Sequence, residues 1–198
     1  MIETEPQPEA EARKTNLVSL KNNPEAFDRV VEAISALEPS EKLTEIRAKL
    51  TRELNLPGAE AIAIFSETGE FIGDVLMHEI FENESEETTD KLRPELKTIF
   101  EGGGRIFYIT TFYTVPGERK KSYGQQMLGE LLRKGVEGKQ ASAFVLATRP
   151  ETQKDAQHIY QKFGFIELEG CPYPNEEEGI VEEKKRKIYM IKDVAPRE

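Results

Sequence analysis

The stretch that decides the fold is R-K-K-S-Y-G, residues 119–124, which lies between a β-forming segment and an amphipathic segment. Before it, residues 106–115 read I-F-Y-I-T-T-F-Y-T-V, an aromatic and β-branched run typical of a buried strand. After it, residues 125–132 read Q-Q-M-L-G-E-L-L, with apolar residues at helical spacing. A helix that begins directly after such a loop presents unpaired backbone N–H groups and the positive end of its dipole, which suits a phosphate group.

Small and basic residues in this loop favour the binding of an anion. Ser122 and Gly124 let the backbone approach an anion closely, and Arg119, Lys120 and Lys121 add positive charge beside it. The same residues are also ordinary turn chemistry, because small residues often occupy such turns and basic side chains in loops are usually solvated. The loop by itself therefore favours phosphate binding only slightly.

A second segment, A-Q-H-I-Y-Q-K-F-G-F at residues 156–165, adds to this signal. Together the two segments resemble the GNAT-type N-acetyltransferase family, which uses acetyl-coenzyme A. Arg119 and Gly124 match the first and last positions of the family's loop pattern R/Q-x-x-G-x-G/A, and residues 156–165 match A-x-x-x-Y-x-x-x-G-F. The sequence departs from the family at two positions. Ser122 stands where the loop pattern has its first glycine, and Gln153 stands where asparagine is common.

The resemblance implies a set of site residues. Backbone groups of the strand and loop, together with Gln153, are expected to bind the cofactor: Phe112, Tyr113, Thr114, Arg119, Lys120, Lys121, Ser122, Tyr123 and Gly124. Tyr160 is expected to be the acid that protonates the leaving thiolate, since a phenol, whose pKa in water is ~10, is a sensible match for a thiol. A tyrosine on an amphipathic helix is otherwise usually a packing residue. The general base is not identified; His78, Glu79, Glu82 and Tyr108 are weak candidates.

The implied activity is transfer of an acetyl group from acetyl-coenzyme A, as co-substrate, to a primary amine by direct transfer. The acceptor is unknown and is either a small molecule or a protein amine. A non-catalytic module that binds acyl-coenzyme A, or an interaction module on the same fold, is the alternative.

Composition narrows the other classes of function. The chain has 198 residues and a net charge of −10, which argues against a nucleic-acid partner and is compatible with a cationic amine or simply with solubility. A single cysteine excludes an internal disulfide and favours the cytoplasm, and the sparse, separated His and Cys residues suggest no metal site. The longest apolar run, residues 61–65, is too short to span a membrane. The oligomeric state is left open, with a dimer as one option.

The predicted organisation is a disordered tail over residues 1–23 and a single domain over residues 24–198, with a helical N-terminal part at residues 24–57. The predicted fold is α/β, with a mixed, mostly antiparallel sheet flanked by helices and an N-terminal helical extension. Further elements are predicted as a hairpin (61–65 and 71–77), helices (94–100 and 151–163) and strands (143–148, 165–168 and 188–191). Acidic runs occupy residues 79–90 and 170–187.

Overall fold

The computed structural model describes residues 14–81, 94–149, 153–168 and 188–194 of the chain. Within them the helices are α1 (Pro24–Leu37), α2 (Leu43–Leu54), α3 (Pro94–Glu101), α4 (Tyr123–Lys139) and α5 (Lys154–Lys162). The strands are β1 (Thr15–Ser19), β2 (Glu60–Ser66), β3 (Phe71–Ile80), β4 (Arg105–Thr114), β5 (Ala141–Thr148), β6 (Ile166–Glu167) and β7 (Ile188–Asp193).

The strands form one seven-stranded sheet in the order β1-β2-β3-β4-β5-β7-β6. Neighbouring strands are antiparallel except for the central pair, β4 and β5, which run parallel and are joined by α4. The crossover helix is needed because parallel neighbours cannot be joined by a tight turn. The mixed, mostly antiparallel sheet with flanking helices confirms the predicted fold class.

Helices cover both faces of the sheet, since successive side chains of each strand point to opposite sides. On one face, α4 and α5 pack on a core that includes Ile62, Val75, Phe107 and Phe144. On the other face, α1 and α2 pack on Ala61, Ala63 and Leu76, and α3 packs on Ile106 and Val145. The result is a three-layer domain whose central strands are buried on both sides.

Close packing of α4 on the sheet depends on Gly135. A Cβ atom at this position would lie 2.5 Å from the ring of Phe144 in β5. Glycine therefore lets the helix backbone approach the parallel strand pair, which fixes the height of the helix above the sheet.

Several boundaries differ from the sequence-based expectations. Residues 15–19, expected within a disordered tail, form β1, which pairs antiparallel with β2 from Thr15↔Ser66 to Ser19↔Ile62. The sequence suggests Ser40 as the cap of a second helix, because serine is a favoured N-cap, but α2 begins one residue after Lys42. The expectations for residues 1–13 and for most of the two acidic runs lie outside the described residues. In the described ranges, no helix is long and apolar enough to cross a membrane.

Candidate functional site

The parallel pair β4 and β5 separates at its carboxyl end. Their pairing ends at Ile109↔Leu146, whereas β4 continues to Thr114 and β5 continues to Thr148 in pairing with β7. Over the described residues, no strand pairs with 110–114 on the side that faces β5. Backbone N–H and C=O groups on this edge of β4 are therefore open to a ligand, because a strand edge presents unpaired hydrogen-bonding groups.

A β-bulge at Thr110 sets which side chains face which side of β4. Leu76 pairs with Thr111 and Met77 pairs with Ile109, so Thr110 is an extra, exposed residue in the ladder. Beyond the bulge, Phe112 packs against the core under α4, and Tyr113 points to the opposite face. The three predicted cofactor-contacting residues of this strand thus have different surroundings, and their backbone groups point alternately to the open edge and to β3.

The N-terminus of α4 lies just beyond the end of β4. A short 3-10 turn (Pro116–Glu118) leads into a loop in which Lys120 (φ 65°) and Ser122 (φ 64°) adopt left-handed conformations. Ser122 is the N-cap of α4, and its side chain makes no capping hydrogen bond. Among the described residues, none accepts a hydrogen bond from the N–H groups of Gly124 or Gln125. These free donors lie at the positive end of the helix dipole, an arrangement that suits an anion, and the phosphate site expected from the sequence stays a prediction.

The basic residues of the loop lie at its solvent-exposed rim. Arg119 is exposed, and its Nε donates a hydrogen bond to the carbonyl of Thr114 at 3.3 Å. Lys121 forms an ion pair with Glu118 at 3.0 Å, and Lys120 is exposed. The basic side chains therefore lie around the N-terminus of α4 and leave its free N–H groups unoccupied. In contrast, Tyr123 is buried in the core below α4, so only its backbone is placed to contact a ligand in the loop.

Phe112, Gly124 and Tyr160 meet at the base of the cleft. A Cβ atom at Gly124 would lie 2.9 Å from Cζ of Phe112, so glycine is needed where α4 passes over β4. The ring of Phe112 lies 5.4 Å from that of Tyr160 in α5, and Phe165 lies 6.0 Å from Tyr160 on another side. Tyr160 is 6% exposed, and burial raises the pKa of its hydroxyl. A phenol is protonated at neutral pH even without this shift, and the shift makes the hydroxyl of Tyr160 a weaker acid than a phenol in water.

Gln153 lies at the start of α5 and joins this helix to β5. Gln153 caps α5, and its Oε1 accepts hydrogen bonds from Oγ1 of Thr148 at 3.0 Å and from N–H of Arg149 at 2.9 Å. This side chain ties α5 to the end of β5; its expected role in cofactor binding stays a prediction. His158, which also lies in α5, is exposed.

On the opposite face of β4, a cavity of about 140 Å³ lies between the strands and the two N-terminal helices. We call it the α1–α2 pocket. Its wall is apolar, formed by Ile34, Leu37, Ile46 and Leu50, and Thr111 and Tyr113 of β4 line its side. Its charged residues are Glu38, Glu41, Lys49, Glu53 and Asp74. Four carboxylates and one ammonium group make the pocket acidic.

Asp74 is the most deeply buried charged residue of the pocket. It is 1% exposed, and its Oδ1 has no hydrogen-bond partner in the described part of the chain. Burial, and then the nearby carboxylate of Glu53, raise the pKa of Asp74 to about 7, while Lys49 opposes the shift. Burial also raises the pKa of Glu53. Sequence reasoning missed Asp74, although an acid inside the apolar run 71–77 was a usable signal.

The weak candidates for the base lie elsewhere or act structurally. Glu79 accepts a hydrogen bond from Nε of Arg105 at 2.7 Å and is 7% exposed. His78 and Tyr108 form an edge-on ring pair at 6.0 Å. Glu82 lies outside the described residues. Glu79 therefore fixes the junction between β3 and β4 and is not available as a free base.

Comparisons with known proteins show the family and the fold of the chain. The chain matches the sequence profile of the acetyltransferase (GNAT) family over residues 27–165. A search of curated protein sequences gave no significant match. Solved structures with a similar fold include an aminoglycoside 6'-acetyltransferase type Ii, with 18% identity and a TM-score of 0.61 over 92% of this chain and 99% of that one.

Two other similar structures come from different branches of life. NAA60 of Arabidopsis thaliana in complex with acetyl-CoA has 16% identity and a TM-score of 0.60 over 91% of this chain and 99% of that one. Mutant forms of the spermidine/spermine N-acetyltransferase SpeG from Vibrio cholerae have 15% identity and a TM-score of 0.58 over 91% and 95%. At these identities the likeness concerns the fold.

Proposed function

Because the chain belongs to the GNAT acetyltransferase family, we propose that it transfers an acetyl group from acetyl-coenzyme A directly to a primary amine. One observation carries this proposal: the open edge of β4 lies next to the free N-terminus of α4, at the end where β4 and β5 separate. These two features suit an extended ligand that carries a pyrophosphate. The strand edge supplies backbone hydrogen bonds to the extended part, and the helix terminus supplies an anion site for the pyrophosphate.

The residues of the cleft fit acetyl-coenzyme A. Backbone groups of residues 112–114 would bind its extended arm, and the loop from Arg119 to Gly124 would bind its pyrophosphate. The co-substrate supplies an activated acetyl thioester. Backbone N–H groups at the edge of β4 would polarise the thioester carbonyl, which is the oxyanion-stabilising role that positioned donors play in acyl transfer.

Tyr160 is proposed as the general acid. It lies beside Phe112, whose backbone belongs to the open edge, and a phenol is protonated at neutral pH, as a proton donor must be. On this proposal the hydroxyl gives its proton to the departing thiolate, while the amine nitrogen forms the new bond to the acetyl carbon. Direct transfer requires both substrates in the cleft at once, and we propose that the amine binds on the side of β4 away from the pyrophosphate loop, where the two substrates do not overlap.

The test is consumption of acetyl-coenzyme A with a panel of amines that covers small alkylamines, polyamines, aminoglycosides, amino acids and peptide N-termini. Amine-dependent release of free thiol supports transfer. Binding of coenzyme A without thiol release from any amine would favour the alternative, a non-catalytic acyl-coenzyme A-binding module. A kinetic pattern of intersecting lines is expected for direct transfer in a ternary complex, whereas parallel lines would indicate a covalent acetyl-enzyme.

A further inference from the structure

We propose that the α1–α2 pocket holds the ammonium group of the acceptor and that Asp74 is the base that takes its proton. This inference rests on the proposed acetyl transfer and adds the two features that the sequence left open, the general base and the class of the acceptor. The acceptor would be an alkylammonium, that is, a primary amine on a short aliphatic chain.

The position of Asp74 connects the pocket to the reaction cleft. Asp74 in β3 pairs directly with Tyr113 in β4, within the segment of β4 whose other edge is open. Tyr113 and Thr111 line the pocket, while Phe112 between them faces α4. The pocket and the proposed pyrophosphate site therefore lie on opposite sides of β4. On this proposal the acceptor enters from the side of the pocket.

The burial of the Asp74 carboxylate and its missing hydrogen-bond partner favour the binding of a ligand. An unpaired carboxylate is costly to bury, and native proteins nearly always give a buried polar atom a partner. Asp74 is 1% exposed and contributes to the wall of the pocket, and its Oδ1, like Oε2 of Glu53, lacks a hydrogen-bond partner among the described residues. An ammonium group would supply the missing hydrogen bonds and an opposite charge.

The shape and polarity of the pocket indicate the rest of the acceptor. The wall formed by Ile34, Leu37, Ile46 and Leu50 suits an alkyl chain, and the carboxylates suit its charged end. The volume of about 140 Å³ resembles that of an engineered cavity of ~150 Å³ that binds benzene, so a chain of about five carbons fits. At the entrance, Leu37 is 43% exposed and Glu38 and Glu41 are exposed.

The groups around Asp74 adjust its proton affinity. Glu53 and Lys49 face it from α2, Tyr113 faces it from β4, and Glu38 and Glu41 close the pocket from the end of α1. Because burial and Glu53 raise its pKa to about 7, Asp74 exchanges its proton near neutral pH, as an efficient base should.

Acetyl transfer removes two protons from the ammonium group, and each has a defined acceptor. The bound ammonium gives one proton to the carboxylate of Asp74, which later passes it to solvent. The free amine then attacks the thioester carbonyl, so that the C–N bond forms and the C–S bond breaks. The nitrogen loses its second proton and the thiolate gains one from Tyr160, which is reprotonated in turn. The sum is one amide, one thiol and one proton released.

A pH profile with three variants tests the role of Asp74. In the wild-type protein, kcat/KM for n-pentylamine should rise with pH through about pH 7, where Asp74 loses its proton. Asp74→Asn should lower the rate about 100-fold or more and remove this limb of the profile. Glu53→Gln should move the limb to lower pH, and Lys49→Met should move it to higher pH, because one change removes a like charge and the other an opposite charge.

The two charge variants keep Asp74, so they test the role of this residue independently of Asp74→Asn. A limb that stays in place in both variants would show that Asp74 is not the titrating group. Loss of the limb in Glu53→Gln would assign the role of base to Glu53 and overturn the proposal. Equal rates in Asp74→Asn and wild type would leave acetyl transfer intact and reject only this inference.

Binding of n-pentylamine gives a readout that does not depend on turnover. At pH 8, n-pentylamine should raise the melting temperature of the wild-type protein more than n-pentanol does, and Asp74→Asn should remove the difference. If no amine of the panel is acetylated, the proposed function fails together with the proton transfer. The binding experiment alone then decides whether the pocket holds an ammonium group. An equal effect of amine and alcohol on the wild-type protein would mean that the pocket does not hold an ammonium group.

Discussion

The ring of Phe112 lies 5.4 Å from the ring of Tyr160, and the same Phe112 ring closes against Gly124 on α4. This pair joins the three elements that form the cleft, since Phe112 belongs to β4, Tyr160 to α5 and Gly124 to the first turn of α4. The ring of Tyr160 is thereby held by packing against Phe112 of β4. A proton donor held on packed elements keeps its position better than one on a mobile loop.

Removal of the Tyr160 hydroxyl should affect turnover and not binding of the co-substrate. Tyr160→Phe keeps the ring that packs on Phe112 and Phe165, so the fold and the affinity for coenzyme A should change little. If the hydroxyl is the general acid, kcat should fall about 100-fold. Steady-state kinetics together with calorimetric titration of coenzyme A separate the two effects. Equal kcat in both proteins would return Tyr160 to a packing role.

The anion site at α4 is best tested at Ser122. Gly124 is unsuitable because any side chain there would clash with Phe112, whereas Ser122 is exposed and its side chain makes no capping bond. Ser122→Glu should weaken coenzyme A binding by placing a negative charge at the pyrophosphate, while Ser122→Gln, of equal size, should weaken it much less. The measurement is the rise in melting temperature with coenzyme A. Similar shifts in the two variants would locate the pyrophosphate elsewhere.

Two glycines of α4 should respond in opposite directions to alanine. Gly135→Ala should destabilise the fold by about 1–3 kcal/mol, because its Cβ atom would lie 2.5 Å from Phe144 in a filled core. Gly138→Ala meets no atom within 4 Å and should stabilise the helix by about 0.5–1 kcal/mol. Denaturant unfolding of both variants measures the difference. A neutral Gly135→Ala would show that α4 does not need this close approach.

Local patterns in the sequence identified the central elements, whereas features that depend on distant partners were missed. The strand, loop and helix around residues 106–132 are visible because each has its own periodicity. Strand β1 was missed because a short edge strand is defined by its pairing with β2, far along the chain. The side of the sheet to which Tyr113 points could not be predicted either. Regular alternation from Ile109 would place Tyr113 under α4, but the bulge at Thr110 turns it to the opposite face. Asp74 acquires its importance from that reversal, because Tyr113 then joins it in one pocket.

The acidic entrance of the α1–α2 pocket should speed the arrival of a cationic acceptor. Glu38 and Glu41 are exposed at the end of α1, and exposed charges act over ~10 Å at 0.1 M salt. For n-pentylamine, kcat/KM should therefore fall as salt is added, and Glu38→Gln with Glu41→Gln should lower the rate at low salt and flatten this dependence. The matched control is Glu101→Gln with Asp193→Asn, an equal charge change at the other end of the sheet. The same flattening in the control would mean that net charge alone is responsible.

Asp74 should weaken the fold at the pH where it is charged. Its pKa rises from 3.8 to about 7 on folding, so the native state holds the proton more tightly than the unfolded state. The stabilising contribution of this proton is complete below pH 3.8 and is lost as the pH rises through about 7, a change of about 4 kcal/mol at most. Since asparagine resembles the protonated acid, Asp74→Asn should be more stable than wild type at pH 8, and the difference should shrink towards pH 4. Urea unfolding at several pH values measures both curves. A variant that is less stable than wild type at pH 8 would mean that the charged carboxylate has a native partner, and Asp74 would then be a structural residue and not a base kept unpaired for the acceptor.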